Sequence, residues 1–231
     1  MINTPKIYKM RIVFYLAPNA PAREDLVGAL RSMILSSKLA YARSKQNPRV
    51  PRLAYGPSVK RGQGAQREYA DIYLLTSVCA QQVRAQLEAS KPQGLELLEV
   101  YRVPYAMASV QQLASHALYR AEGDFMAHAP KQTFENYVKS ARLNVMCRAE
   151  NAMCLCQDIK PYLVSAQTIS ATCVQFMLKR VGDKWISPLA VLYGWLGMEM
   201  PLDDQQAAAC GFTTIREGLY WQDCENNLHL I

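Results

Sequence analysis

The sequence predicts an α+β fold, two tandem ferredoxin-like (βαββαβ) units with antiparallel sheets. Three observations lead there. Residues 8–15 alternate apolar and polar with the period of a strand. Leu26, Leu30, Met33 and Ile34 recur at the spacing of an amphipathic helix. The periods then run strand, helix, strand, strand, helix, strand, the order of one ferredoxin-like unit. The first unit is expected over residues 1–104 and the second over 105–231. The second carries an extra hairpin and a C-terminal tail.

The first strand puts Tyr8, Met10, Ile12 and Phe14 on one apolar face, and Pro18 and Asn19 end it. The first helix is expected from Asp25 to Leu39, with Glu24 and Asp25 at the end where its dipole favours negative charge. A short strand from Arg52 to Val59 and a glycine-containing turn from Lys60 to Gln66 follow. Glu68 to Leu75 is the second strand of that hairpin. Thr76 or Ser77 is the expected cap of the next helix, which carries Val78, Val83 and Leu87 and stops before Pro92 and Gly94. Leu95 to Val103 completes the unit, and residues 104–114 form the boundary, with a short helical piece from Ser109 to Ala114.

The second half repeats the order less cleanly. A strand is expected from His116 to Asp124 and a helix from Lys131 to Ala141. Leu143 to Ala149 and Met153 to Ile159 form the extra hairpin, and Ser170 to Lys179 reads as a strand. Ser187 caps a helix that has Pro188 at its first position. Thr213 to Trp221 is the last strand, and residues 222–231 carry no pattern and are expected to fray. No sequence repeat links the halves.

With 231 residues, half of them hydrophobic, the chain is long enough for one large domain or two small ones. No apolar run approaches the roughly 20 residues of a membrane helix. The N-terminus lacks a signal peptide's unbroken apolar core, so a cytoplasmic protein is expected. Seven cysteines and no sign of secretion favour free thiols. Cys147, Cys154, Cys156 and Cys173 lie close in sequence, but no C-x-x-C pair is present, so they read as buried apolar residues rather than metal ligands. No cofactor is expected.

Charge is the most informative feature. The net charge is +7, yet residues 38–67 alone hold eight Lys or Arg and no Asp or Glu, so the rest sums to −1. Tyr and turn-forming Pro and Gly interleave the cations, which suits a surface for a polyanion. The expected nucleic-acid contacts are Tyr41, Arg43, Lys45, Arg49, Arg52, Tyr55, Lys60, Arg61 and Arg67, with cations on phosphates and a tyrosine stacking on an unpaired base. The segment from Lys60 to Gly64 reads as an ordinary turn, because no G-K-[S/T] or helix follows to make a P-loop. Asp71 between Tyr69 and Tyr73 reads as structural, bonded to an Arg of the basic stretch. Asp158 and Lys160 read as a strand end, and His116, His128 and His229 as satisfied residues without a nucleophile partner.

The same stretch carries a resemblance. Leu39-Ala40-Tyr41, Asn47-Pro48-Arg49, Pro51-Arg52-Leu53, Tyr55-Gly56-Pro57, then Glu68-Tyr69 and Asp71, resemble the signature of the radical-SAM-associated domain-of-unknown-function family. That signature reads LAYS-x-GFNP-x-P-x-I-x-F-(G/A)-x-x-L with a later EY-x-D strand. Residues 158–163 resemble the family's DIRPYL segment. The resemblance covers nearly the whole chain, and its motifs are specific in combination rather than singly. Two departures stand out. Where the family has SHLD before the first helix, this chain has Ala22-Arg23-Glu24-Asp25, and GFNP is Lys45-Gln46-Asn47-Pro48. Any role of that His or Gly has no counterpart here. The resemblance implies a radical-SAM protein as partner and no defined activity of its own. The expected function is an accessory protein of a radical-SAM enzyme that binds tRNA or rRNA through the basic loop. The alternatives are a stand-alone RNA-modifying or RNA-processing enzyme, with Asp71 or His116 as base, and a pure protein-interaction module.

Overall fold

The computed structural model describes residues 6–18, 26–57, 59, 63–148, 154–200 and 211–231, with backbone only at 147, 148, 154 and 155. The order begins β1 (Tyr8–Leu16), α1 (Leu26–Ser36), β2 (Leu53–Tyr55), β3 (Gln63–Leu74), α2 (Ala80–Glu88) and β4 (Leu95–Val103). It continues with α3 (Val110–Leu113), β5 (His116–Gly123), α4 (Phe134–Lys139), β6 (Asn144–Arg148) and β7 (Cys154–Asp158). The last elements are β8 (Leu163–Ser170), β9 (Cys173–Lys179), α5 (Pro188–Leu196), β10 (Glu199–Met200), β11 (Phe212–Gln222) and β12 (Leu228–Leu230). The fold is α+β and mostly strand.

β1 is the centre of the first half. It pairs antiparallel with β3 on one side and β4 on the other, and β2 pairs antiparallel with β3. Met10, Ile12 and Phe14 of β1 and Ala70, Ile72 and Leu74 of β3 share one face, where α1 and α2 bury Leu30, Met33, Ile34, Val83 and Leu87. Period-2 and period-3.6 stripes meet there and remove both from water. In the second half β5 occupies the place of β1. It pairs antiparallel with β11 and β9, and β9 pairs with β8. The order β4-β1-β3-β2 thus recurs as β11-β5-β9-β8, with the β6–β7 hairpin set aside in a small sheet with β10. A second core collects Phe125, Phe134, Phe176, Trp195 and Phe212 around α4 and α5.

The two halves do not keep separate antiparallel sheets. Gln63, Gly64 and Ala65 of β3 pair parallel with Thr214, Ile215 and Arg216 of β11, which fuses both halves into one mixed nine-stranded sheet. The residues expected as a turn are therefore split. Gln63 to Gln66 are strand, and residues 60–62 lie outside the described part, as do Asn19, Glu24 and Asp25. At Gly64 an added Cβ would sit 3.0 Å from Pro18 Cγ, so glycine lets the start of β3 pass close to the end of β1.

Other expectations change locally. The helix expected to be capped by Thr76 or Ser77 starts at Ala80, with Cys79 at its N-cap and no side-chain bond to its N–H groups. β8 was not expected as a strand of its own. The C-terminal tail is ordered, because β12 pairs antiparallel with β11. Ser187 caps α5 as expected, its hydroxyl accepting from Leu189 N behind Pro188, and Gly197 ends the helix at φ 67°. The described thiols are not buried: Cys79, Cys156 and Cys224 are exposed and Cys173 is half-buried. Cys79 stands at the N-cap of α2, Cys224 lies in the turn between β11 and β12, and β7 presents Cys156 outward. Among the described residues no group of three or more His, Cys, Asp or Glu is placed to hold a metal, and no helix is long and apolar enough to cross a membrane.

Candidate polyanion interface

The site is built on the sheet face opposite α1 and α2. Alternation on β1 and β3 puts Lys9, Arg11, Tyr69, Asp71 and Tyr73 on that face. Arg11 and Asp71 stand directly opposite in register and form a two-point ion pair, Nε to Oδ1 at 2.7 Å and Nη2 to Oδ2 at 3.2 Å. Asp71 Oδ2 also accepts from Val110 N at 2.9 Å, so the carboxylate fixes the first turn of α3. Asp71 is structural, as expected, but its partner is Arg11 of β1 rather than an Arg of the basic stretch. Lys9, 1% exposed, donates to the carbonyls of Met107 and Ala108. Burial lowers its ammonium from the ordinary value, with Arg11 and Arg52 acting in the same sense and Asp71 opposing. Two buried charges thus tie residues 107–110 onto the sheet, and that tie presents Tyr105.

The basic stretch reaches the same region by backbone pairing. Ala42 N donates to Tyr73 O and Leu75 N to Ala40 O, both at 2.7 Å, which extends the edge of β3. The chain then folds on itself. Ser44 N bonds Val50 O, Arg52 N bonds Ala42 O, and Asn47 Oδ1 accepts from Arg49 N at the tip. Pro48 and Pro51 suit a loop that pairs only with itself. Arg43 Nη1 donates to Pro48 O at 3.0 Å and braces the loop from within.

Arg52 is the hinge between loop and sheet. Its guanidinium lies 4.0 Å from the Tyr73 ring centre and 5.7 Å from that of Tyr105, and Nη1 donates to Tyr105 Oη at 3.1 Å. That hydrogen bond, then the charge of Arg52, lowers the Tyr105 phenol from its usual value, with Lys45 and Lys9 adding to the effect. The Tyr105 ring is 52% exposed. Arg43, Lys45 and Arg49 are exposed on the loop, and among the described residues no carboxylate pairs with them or with Arg52. Clustered cations beside an exposed aromatic ring can bind phosphates and stack on a base.

The structure brings Arg43, Lys45, Arg49 and Arg52 together on this loop. Tyr41 pairs with Leu74 and packs against the first core, and Tyr55 lies at the end of β2. Arg67 is elsewhere. It is six residues from Tyr73 along β3, about 20 Å, and is engaged by Glu99 at 2.7 Å and Tyr69 Oη at 3.2 Å. These bonds hold its guanidinium above the ordinary value. Lys60 and Arg61 lie outside the described residues. Tyr105 was not anticipated. It lies 53 residues from Arg52, and only its place just after a strand end in a Tyr-Ala-Met run hinted at exposure.

The other candidates have structural partners. His116 is buried and its Nδ1 bonds Ser115 Oγ at 2.9 Å. Burial lowers its pKa, and Lys179 adds to this. Asp158 Oδ1 accepts from Leu143 N and Lys160 N and joins the hairpin to the turn that follows. His229 stacks on Trp221 and bonds Asp223, and His128 sits edge-on to Phe212.

The fold and site define an α+β protein that carries an exposed basic loop braced on tyrosines. Residues 25–188, well over half of the chain, match DUF2344, described as an uncharacterized protein conserved in bacteria. The chain belongs to that family. No curated protein matches this sequence.

Proposed function

We propose that the protein is an accessory protein of a radical-SAM enzyme and binds RNA, tRNA or rRNA, through the loop of residues 43–52. One observation carries the RNA reading: Arg43, Lys45, Arg49 and Arg52 share one loop, which Arg52 anchors on the exposed Tyr105, with no carboxylate counter-ion among the described residues. Removing four cations from acidic neighbours leaves their field to an outside polyanion. The recurring strand order supports reading the halves as tandem ferredoxin-like units, a common platform for RNA. The radical-SAM partner rests on the family resemblance of the motifs at Leu39 to Asp71. In this reading the partner carries the iron–sulfur cluster and the chemistry, and this chain holds the substrate.

The test titrates labelled bulk tRNA against the purified protein over a range of salt. Wild-type protein is expected to bind with a steep salt dependence. A variant with Arg43, Arg49 and Arg52 changed to Ala is expected to bind more weakly, with a log–log salt slope shallower by about 3, roughly 0.9 per lost phosphate contact. Binding that ignores salt, or a variant identical to wild type, removes the reading. An anaerobic pull-down from the source cells that recovers no radical-SAM protein removes the partner.

A further inference from the structure

β2 leads from Arg52 out of the basic loop and into a pocket of about 540 Å³ at the seam between the halves. Residues 55–57 form one wall, Gln111 and Gln112 of α3 another, and Arg180, Asp183 and Trp185 the third. The site is built from below. The fully buried Arg216 donates to Pro57 O at 2.8 Å and pairs with Glu68, which fixes the turn after β2. Gly56 packs so closely that an added Cβ would lie 2.6 Å from Leu219 Cδ1 and 3.3 Å from Glu68 Oε1.

The polar groups in the pocket are unequally engaged. Arg180 already donates to Gln111 O at 3.2 Å and Gln112 O at 3.4 Å, so two of its N–H groups are spent on the wall. Gln112 Oε1 is taken by the N–H and hydroxyl of Ser109. Asp183 is exposed on the tight turn closed by Val181 and Lys184, and no described residue bonds its carboxylate. Trp185, half-buried against the second core, supplies an aromatic surface. A free carboxylate accepts only, so a ligand here must bring donors, and the aromatic wall favours a planar one.

Guanine is the nucleobase that offers a carboxylate two adjacent donors, N1–H and the 2-amino group. The volume also suits a nucleoside. Arg52 and Tyr55 are three residues apart on an extended strand, about 10 Å, so a strand bound on the loop passes the pocket mouth. We propose that the pocket takes one unstacked guanine of the bound RNA, read by Asp183 against Trp185. That this guanine belongs to an RNA rests on the function proposed above. The pocket's preference for guanine does not.

The experiment measures binding of GMP, IMP, AMP, CMP and UMP to the full chain by calorimetry. GMP is expected to bind best. IMP, which lacks the 2-amino group and keeps only the N1–H bond, should bind roughly tenfold or more weakly, the size of one hydrogen bond to a charged group. Asp183→Asn should erase the difference between GMP and IMP. GMP bound no better than AMP, or a preference that survives Asp183→Asn, overturns the assignment even if tRNA binds the loop. Arginine amide bound in place of GMP also overturns it and makes the pocket a peptide site. Guanine preference in a protein that fails to bind tRNA upholds the pocket and sinks the basic-loop reading.

Discussion

Arg52 does three things with one guanidinium: it lies over Tyr73, bonds Tyr105 and ends the loop that pairs with Ala42. The arrangement commits its planar fork, which a lysine would not reproduce. Arg52→Gln is expected to raise the Tyr105 phenol back toward the ordinary value, since hydrogen bonding to Arg52 and then its charge cause the depression. Ring-labelled NMR titration of wild type and variant reads the shift, and identical curves would refute the contact. Part of this region was legible. Alternation alone placed Tyr69, Asp71 and Tyr73 on one face, and the absence of acids marked the loop. The partners were not legible, because Arg11 meets Asp71 and Tyr105 meets Arg52 only through register and crossover.

Elements whose order comes from burial were readable, and those ordered by polar contacts were not. β4 was expected at its observed bounds, because its ends are marked by Gly94 and Pro104. β8 gave no signal since it is an edge strand exposed along almost all its length, so neither face needed to be apolar. β12 was missed because a side chain organises it. Asp223 accepts from Glu225 N, Asn227 N and Asn227 Nδ2 and bonds His229, while Asn226 takes φ 69°. The bond to His229, ahead of the others, lowers the Asp223 carboxyl from 3.8 to about 2. A depressed acid contributes stability that is present above its unfolded value and lost as pH falls through the folded one. β12 is therefore expected to loosen as pH drops from about 3.8 toward 2, seen as altered Trp221 emission while β1 to β4 stay protected from hydrogen exchange. A Trp221 signal flat across that window would show that Asp223 does not hold the strand.

At the scale of the whole molecule, three parallel residue pairs and a buried ion pair are among the contacts that join the halves. Burial alone would lower the Arg216 guanidinium, but Glu68 and Tyr119 outweigh it and hold it above the ordinary value, so it stays charged. Arg216→Met leaves Glu68 buried without its counter-ion and is expected to cost about 3–5 kcal/mol. Arg216→Met combined with Glu68→Leu should recover most of that loss, because replacing both buried charges is often near neutral. Urea unfolding of the three proteins tests this, and a single variant within about 1 kcal/mol of wild type contradicts the role of the pair. The mixed sheet was not foreseeable from local pattern, since parallel pairing links residues 63–65 to 214–216 with no short-range signature.

β11 comes late in the chain but sits between β3 and β5. During synthesis every other strand of the large sheet except β12 leaves the ribosome before the one that closes it. Until residue 222 emerges, β5 and residues 63–65 of β3 lack the strand that joins them. The large sheet is therefore completed only when nearly the whole chain has been made.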